Sequence, residues 1–378
     1  MSESASSPLI VAVGGDPGGA GALAPVIDAL RATQRVRIDA RAYRHACAVW
    51  QKCGLSFQPL DEQAEVSLPA DAHLVLTSTS LNGLDLEKRF IGAARLQGIP
   101  SVSVLDFWSN YRPRFSSSDD SLNCVPDHIA VMDGQARDEM IAEGFEPQQL
   151  VVTGQPAFDD LATWHAAFTP EKRQAVRRKL GVQEGELLVV FASQPFSAFA
   201  GSDSSLPQYR GFDERSVAAQ LLHALEEAVA NDQRRITLVI RPHPREDARS
   251  FDHLRSETVR VRVTMNGDAR ETVATADLVV GMNTALLIEA CYLGCVVVSL
   301  QPGLNGTDPL PTNRLGFSRA VYSDREIAPT IRELLLDASA RRRATENLEH
   351  FRVDGNAAKR VTELVISLLP THAISTHS

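Results

Sequence analysis

Glycine, aspartate and proline are concentrated in one short segment near the start of the chain. An apolar run leads into GGDPGGAG at residues 14–21, and an amphipathic helical pattern follows. Glycines at such a position let backbone N–H groups approach an anion at the helix N-terminus, where the helix dipole favours negative charge. The segment predicts substrate contacts at Gly15, Gly18 and Gly19, with Asp16 as the acidic group beside them.

The same loop allows two other interpretations. Gly19, Gly21 and Ala24 have the G-x-G-x-x-A spacing of a dinucleotide-binding loop, and Asp39 stands where a ribose ligand would be expected. The spacing begins well after the strand ends rather than at the turn itself, which argues against NAD. A strand-to-helix turn without any ligand is the structural alternative.

The segment RPHPRED follows another apolar, strand-like run. Pro242 and Pro244 stiffen the turn around His243, while Arg241 and Arg245 add positive charge. A histidine presented in this way can donate a hydrogen bond to a phosphate oxygen. The alternative is that His243 only caps the loop.

The run ADLVVGMNTALLIEACYLG predicts a helix that begins directly after a strand. The strand ends at Gly281, and Asn283 or Thr284 can cap the helix that follows. The free N–H groups of its first turn, together with the Thr284 hydroxyl, predict a second anion site. Glu289 lies among apolar residues, where its carboxylate would accept hydrogen bonds from a ribose or cap a neighbouring loop.

A loop rich in aromatic and arginine residues follows the fifth predicted strand. It reads LDFWSNYRPRF, and its polar side chains are Asp106, Tyr111, Arg112 and Arg114. These four residues are candidates for contacting a second substrate, in particular an anionic one. An aromatic plug between helices is the alternative.

Two other groups of polar side chains are interpreted as structural. The segment LDLEKR, with Asp85, Glu87 and Lys88, is typical of a capped, solvent-exposed start of a helix. None of the five cysteines forms a C-x-x-C pair or a zinc-like cluster, and Cys291 and Cys295 are flanked by apolar residues. Core packing in a reducing compartment is therefore expected for them.

Short β-branched runs alternate with amphipathic helical stretches along most of the chain, which predicts βαβ units in mainly parallel sheets. The alternation pauses over residues 155–182, which are charged and helical, and then restarts. The sequence thus predicts two Rossmann-like doubly wound α/β domains, over residues 1–160 and 161–345, followed by a C-terminal helix and polar tail over residues 346–378. Ligands bind beyond the carboxyl ends of such strands, so the loops there should carry the chemistry.

The overall composition is that of a soluble globular enzyme. The 378 residues carry a formal net charge of −9, which argues against a general affinity for nucleic acid. No apolar run approaches the roughly 20 residues needed to cross a bilayer. The first residues lack the basic start and apolar core of a signal peptide. A cytoplasmic protein is expected, while peripheral membrane association and the oligomeric state stay open.

The order of these segments resembles the GT-B superfamily, the two-domain nucleotide-sugar transferases and their relatives, the non-hydrolysing UDP-GlcNAc 2-epimerases. GGDPGGAGALAPVI resembles the glycine loop of transferases such as the one that adds GlcNAc to peptidoglycan lipid. VVTGQPAFDDL resembles the interdomain VTGNPVVD segment of the epimerases. RPHP resembles the His-Pro turn of capsule, teichoic-acid, sialyl- and Kdo-transferases. GMNTALLIEACYLG resembles the helix start that holds the donor phosphate, with a glutamate that holds the ribose.

The resemblance implies two domains that face each other across a cleft, with a nucleotide-sugar donor on the C-terminal domain and an acceptor on the N-terminal one. It implies that the loop QPGLNGTDPLPTNRLG lies over the donor's sugar, with Asn305, Thr307 and Asp308 as candidates. Asp16 and His243 are the catalytic candidates. The donor-binding candidates are Gly15, Gly18, Gly19, Arg241, His243, Gly281, Asn283, Thr284, Glu289 and Asn305, and the acceptor-binding candidates are Asp106, Tyr111, Arg112 and Arg114.

Two departures favour a transferase over an epimerase. RPHPRED and GMNTAL stand where the epimerases have an HR-x-E-N turn and an SGG helix start. The sequence also has no D-x-D pair of the kind that holds a metal in GT-A enzymes. The expectation is a metal-independent glycosyltransferase without a cofactor, which uses a UDP- or CMP-activated sugar. An epimerase-like isomerase or hydrolase and a non-catalytic scaffold that binds a nucleotide sugar stay as alternatives.

Overall fold

The computed structural model describes residues 7–63, 65–81, 85–117, 121–201, 209–230, 232–346, 348 and 353–370. The chain forms two compact units. Unit 1 comprises Met1–Ala162 and Val353–Ser378, and unit 2 comprises Thr163–Arg352. In the described part of the chain, no helix is long and apolar enough to span a membrane.

Unit 1 is built on a seven-stranded sheet in which every pairing is parallel. The strand order is β3-β2-β1-β4-β5-β6-β7. The strands are β1 (Leu9–Gly14), β2 (Arg37–Ala42), β3 (Gln58–Pro59), β4 (Ala72–Thr77), β5 (Ser101–Val104), β6 (His128–Val131) and β7 (Leu150–Val152). The central strand β1 is buried along its whole length, as expected for a parallel strand covered on both faces.

Unit 2 is built on a six-stranded sheet, again with every pairing parallel. The strand order is β10-β9-β8-β11-β12-β13. The strands are β8 (Leu187–Ala192), β9 (Ile236–Arg241), β10 (Val259–Val263), β11 (Leu278–Gly281), β12 (Val297–Leu300) and β13 (Arg319–Val321). The prediction of two doubly wound α/β domains is confirmed by these two sheets and their covering helices.

Helices connect the strands, as βαβ crossovers require. They are α1 (Pro17–Ala32), α2 (His45–Lys52), α3 (Leu86–Gln97), α4 (Tyr111–Phe115), α5 (Gly134–Ala142), α6 (Asp159–Ala167), α7 (Pro170–Lys179), α8 (Phe196–Ala200), α9 (Glu214–Val229), α10 (Ala269–Ala274), α11 (Ala285–Tyr292), α12 (Pro311–Arg314), α13 (Asp324–Leu336), α14 (Ala338–Thr345) and α15 (Ala357–Ser367). Short 3-10 turns lie at Pro147–Gln149, Pro156–Phe158 and Ala248–Phe251.

The last helix, α15, packs in unit 1 although unit 2 precedes it in the chain. Val361 and Val365 of α15 are fully buried in the same core cluster as β1 and α1. Asp159 accepts hydrogen bonds from the N–H groups of Ala357 (2.9 Å) and Ala358 (2.7 Å), so its carboxylate caps the start of α15. The polar tail, residues 371–378, lies outside the described residues.

Candidate functional site

The glycine loop of unit 1 is shorter than the sequence suggests, because α1 already begins at Pro17. Gly15, Gly18 and Gly19 all have φ outside the left-handed region, so these positions do not need the backbone freedom of glycine. They need glycine because neighbouring atoms leave no room for a side chain. A Cβ on Gly15 would lie 2.3 Å from the Tyr43 ring, one on Gly18 2.5 Å from Asp106 Oδ2, and one on Gly19 2.8 Å from Ser78 Cβ.

Asp16 lies between these glycines, partly buried, at the position before α1. Its carboxylate does not cap α1. Instead, Oδ2 accepts a hydrogen bond from the N–H of Leu81 (2.9 Å), and its own N–H donates to Ser80 Oγ (3.0 Å). The candidate base is thus held by the loop that follows β4. Its predicted catalytic role stays a prediction.

Glu87 is a buried carboxyl beside this turn, and the expectation of a solvent-exposed helix start is wrong for it. Its side chain is 3% exposed and accepts hydrogen bonds from Tyr43 Oη (2.5 Å), Ser78 Oγ (2.5 Å) and Ser80 Oγ (2.8 Å). Burial raises the pKa of Glu87, the three hydroxyl donors oppose this shift, and the charge of Asp16 adds to it. Burial also raises the pKa of Tyr43, as does the adjacent Glu87 carboxyl.

Asp106 forms a second polar cluster at the same edge of the sheet. Its Oδ1 accepts from Thr79 Oγ1 (2.7 Å) and from the guanidinium of Arg114, which is 5% exposed. Gln155 Nε2 donates to the Asp106 carbonyl oxygen at 2.7 Å. Two of the four acceptor candidates, Asp106 and Arg114, therefore form an ion pair close to Gly18.

The other two acceptor candidates lie against α5. Tyr111 is 2% exposed, and its hydroxyl donates to Glu139 at 2.6 Å. Arg112 donates to Glu143 from both its backbone N–H (3.3 Å) and its guanidinium. Asp39, the ribose ligand of the dinucleotide interpretation, lies inside β2 rather than at its end and pairs with Arg41 at 2.7 Å.

The His243 turn lies beyond the carboxyl end of β9 in unit 2. The N–H of Arg245 donates to His243 Nδ1 (3.1 Å), which leaves the ring proton on Nε2. Burial lowers the pKa of His243, and the charge of Arg245 lowers it further, so the ring is neutral at physiological pH. A neutral ring with its proton on Nε2 is a hydrogen-bond donor at that atom.

Glu246 holds this turn in place, and the sequence interpretation overlooked it. Its carboxylate accepts from Ser193 Oγ (2.7 Å), at the end of β8, and from the His243 N–H. Burial raises the pKa of Glu246. Arg241 lies at the last position of β9, where its guanidinium donates to the carbonyl oxygens of Asn266 (2.9 Å) and Gly267 (2.6 Å).

The start of α11 lies beyond the carboxyl end of β11. Of the two predicted cap candidates, Asn283 and Thr284, Thr284 is the N-cap, and its Oγ1 accepts a hydrogen bond from the N–H of Leu286 (3.4 Å). The N–H of Asn283 donates to Gln194 Oε1 at 3.0 Å. Gly281 is closely packed, since a Cβ there would lie 2.8 Å from the Ala192 carbonyl oxygen.

Glu289, on α11, forms an ion pair with Arg270 at 2.5 Å. In the loop after β12, Asn305 and Thr307 are exposed. Asp308 is buried and accepts from Gln301 Nε2 (2.9 Å) and Tyr322 Oη (2.7 Å), so it anchors the loop.

The two cysteines predicted to be structural do lie in packed surroundings. Cys291 is fully buried, Cys295 is partly buried, and both are free thiols. Burial raises the pKa of the Cys295 thiol to about 12, so it stays protonated. Among the described residues, no group of three or more His, Cys, Asp or Glu side chains is placed to hold a metal ion.

Solved structures of known proteins share this fold over 95% or more of the chain. The UDP-GlcNAc 2-epimerase from Neisseria meningitidis bound to UDP-GlcNAc is similar with a TM-score of 0.68 at 15% identity, over 95% of this chain and 100% of that one. Anabaena HepE, in complex with UDP and glucose, has a TM-score of 0.61 at 16% identity, over 95% and 100%. The glycosyltransferase of kitacinnamycin has a TM-score of 0.61 at 14% identity, over 97% and 100%. No protein-family model and no curated protein sequence matches the chain.

The protein therefore has the GT-B fold, which confirms the fold implied by the resemblance of its motifs. That architecture is common to sugar epimerases and sugar transferases. At these low identities the similarity identifies the fold.

Proposed function

We propose that this protein is a metal-independent glycosyltransferase that moves a sugar from a nucleotide-activated donor to an acceptor, in the synthesis of cell-envelope polysaccharide or another glycoconjugate. The His243 turn is the observation that carries the proposal. Its neutral ring has a proton on Nε2, beyond the carboxyl end of β9, where doubly wound sheets bind ligands. An N–H at that place suits a phosphate oxygen of the donor.

Unit 2 would bind the donor. Its phosphates would lie against His243 and the first turn of α11, where Asn283 and Thr284 stand, with Arg241 adding positive charge. The ion pair with Arg270 orients the Glu289 carboxylate, which would accept a hydrogen bond from a ribose hydroxyl. Gly281 keeps the strand end compact, and the anchored loop with exposed Asn305 would contact the sugar.

Unit 1 would bind the acceptor and supply the base. Asp16 would take the proton from an acceptor hydroxyl while the hydroxyl oxygen forms a bond to the anomeric carbon and the nucleotide leaves with the bonding electrons. This role applies to a reaction that inverts the configuration. The ion pair of Asp106 with Arg114 would position a polar acceptor close to Gly18.

A thermal-shift screen with UDP, CMP, CDP, GDP and TDP tests the donor class. Stabilisation grows with ligand concentration relative to the dissociation constant, so the cognate nucleotide should raise Tm most. A protein that none of these nucleotides stabilises would contradict the proposal. Binding without turnover across a panel of nucleotide sugars would favour the non-catalytic scaffold.

Replacing His243 tests the phosphate contact. His243→Ala removes the Nε2 donor and should weaken nucleotide binding by about tenfold, since one charge-assisted hydrogen bond is lost. His243→Gln offers an amide donor and should recover part of the loss. His223→Ala, an exposed histidine on α9 of the same unit, is the matched control. Calorimetry that gives equal affinity for His243→Ala and the wild type would exclude this contact.

A UDP-GlcNAc 2-epimerase-like reaction is the second candidate, because a solved epimerase has the same fold over 95% of this chain. Incubation with UDP-GlcNAc alone separates the two activities. An epimerase releases an epimer or UDP without an acceptor, whereas a transferase needs the acceptor for turnover. Product analysis by NMR distinguishes the epimer from unreacted substrate.

A further inference from the structure

Three side chains hold the turn that carries Asp16. The Tyr43 ring packs against Gly15 so closely that a Cβ there would lie 2.3 Å away. Ser78 packs in the same way against Gly19, at 2.8 Å. Ser80 accepts a hydrogen bond from the Asp16 N–H at 3.0 Å. These side chains come from the segments after β2 and β4, and all three are almost fully buried.

All three side chains donate to one acceptor, the carboxyl of Glu87. Ser78 and Ser80 donate to Oε1, at 2.5 and 2.8 Å, and Tyr43 donates to Oε2 at 2.5 Å. Among the described residues, Glu87 has no ion pair with a Lys or Arg side chain. A buried carboxyl without a cation is costly unless donors satisfy it, and three hydroxyls do so here. These donors come from the segments that contact the Asp16 turn, so the carboxyl ties those segments together.

The hydrogen bonds have a fixed direction. Because the Ser80 hydroxyl donates its only hydrogen to Glu87, its lone pairs are left for the Asp16 N–H. The next residue, Leu81, donates its N–H to Asp16 Oδ2 at 2.9 Å. Glu87 thus orients Ser80, and the Ser80–Leu81 segment fixes both the backbone and the carboxylate of Asp16.

We infer that Glu87 is the positioning residue of the Asp16 turn. It does not contact substrate. It sets the orientation of the Asp16 carboxylate through Ser80, and it holds Tyr43 and Ser78 against the flanking glycines. The inference rests on the proposed function in one respect, namely that Asp16 is the base. It assigns a role to a residue whose local sequence is typical of a solvent-exposed helix start.

The first test needs no substrate. NMR compares three variants with the wild type: Glu87→Gln, Ser80→Ala and Tyr43→Phe. The measured quantities are the chemical shifts and the hydrogen-exchange rates of the Asp16 and Leu81 amides. We expect all three variants to shift both amides and to accelerate Asp16 exchange by about tenfold, as the loss of one hydrogen bond would. Tyr43→Phe leaves the ring on Gly15 and removes only the hydroxyl that donates to Glu87, so it tests whether loss of that hydrogen bond alters the Asp16 turn.

Ser101→Ala is the matched control. Ser101 is also buried (3% exposed), donates to a carboxylate at 2.8 Å (Asp127) and accepts a backbone N–H at 3.2 Å, but it lies at the amino end of β5. It should leave the Asp16 amide unchanged. Unaltered Asp16 and Leu81 amides in a folded Glu87→Gln protein would overturn the inference, whatever Ser80→Ala does, because Ser80 contacts the Asp16 N–H directly.

The second test uses turnover of the nucleotide sugar. A positioning role predicts that kcat falls by about 10- to 100-fold in Ser80→Ala, whereas the KM for the donor stays within about twofold, because the donor site is proposed for unit 2. Shifted amides with an unchanged kcat would also overturn the inference. If the wild type turns over no nucleotide sugar, the proposed function fails, and the amide measurements still decide whether Glu87 orders the turn.

Discussion

A carboxyl group stands at the carboxyl edge of each sheet, buried in unit 1 and half-buried in unit 2, and its partners are hydroxyls and backbone N–H groups. Glu87 takes three hydroxyl donors in unit 1. Glu246 takes Ser193 and the His243 N–H in unit 2. Burial raises the pKa of both groups. Each organises a turn that carries a candidate catalytic side chain, Asp16 in one case and His243 in the other.

The raised pKa of Glu87 makes stability depend on pH. Its folded pKa lies above its unfolded value, so its contribution to stability is complete below the unfolded pKa and declines as pH rises through the folded pKa. Glu87→Gln has no such titration. The free energy of unfolding should therefore fall less steeply above about pH 4.3 in the variant than in the wild type. Urea unfolding across this range measures both slopes, and parallel curves would contradict the assignment.

At the scale of elements, α1 shows why so many glycines stand together in one helix. Gly19 faces the Ser78 side chain and the Thr79 carbonyl oxygen, both 2.8 Å from where a Cβ would lie. Gly21, two residues further on in the same helix, has nothing within 4 Å of that position. One glycine is required by close packing, and the other is not.

Two alanine substitutions in α1 should have opposite effects. Gly19→Ala forces the β4 loop away and should cost about 1–3 kcal/mol. Gly21→Ala removes backbone freedom from the unfolded chain and should stabilise the protein by about 0.5–1 kcal/mol. Denaturant midpoints of the two variants provide the comparison. Destabilisation by both would show that the space beside Gly21 is occupied.

The sequence predicts most elements correctly, because apolar periodicity depends on neighbours in the chain. It predicts the strand that ends at Gly281 and a helix cap at Asn283 or Thr284, of which Thr284 is the cap, since both signals are local. It misses Glu87, because LDLEKR has an exposed pattern and the groups that bury Glu87 lie 7 to 44 residues away in sequence. The run TSTS, which begins at the last residue of β4, is the signal that could have indicated a buried acceptor.

At the scale of the whole molecule, unit 1 is discontinuous. Asp159, near the end of its first stretch, caps a helix that begins 198 residues later. Arg360 of that helix donates to the Thr153 carbonyl oxygen at 2.6 Å, which adds a second link between the two stretches. Val361 and Val365 complete a core that begins with β1.

Removing the cap should loosen unit 1 alone. Asp159→Ala leaves the first N–H groups of α15 without their acceptor and should cost about 0.5–2 kcal/mol. Hydrogen exchange should accelerate in β1 and stay unchanged in β8. Thr169→Ala, which removes the N-cap of α7, is the control and should not affect β1. Equal acceleration in both strands would mean that the cap stabilises more than its own unit.

The return of α15 also sets an order of events during synthesis. A ribosome delivers the chain from its N-terminus, so the first sheet emerges while the helix that covers part of its core has not been translated. Residues 163–352 are contiguous and can fold as soon as they leave the exit tunnel. The N-terminal unit must wait for the last segment, with an apolar face uncovered in the meantime. Chaperones should therefore bind nascent chains that are stalled before residue 353.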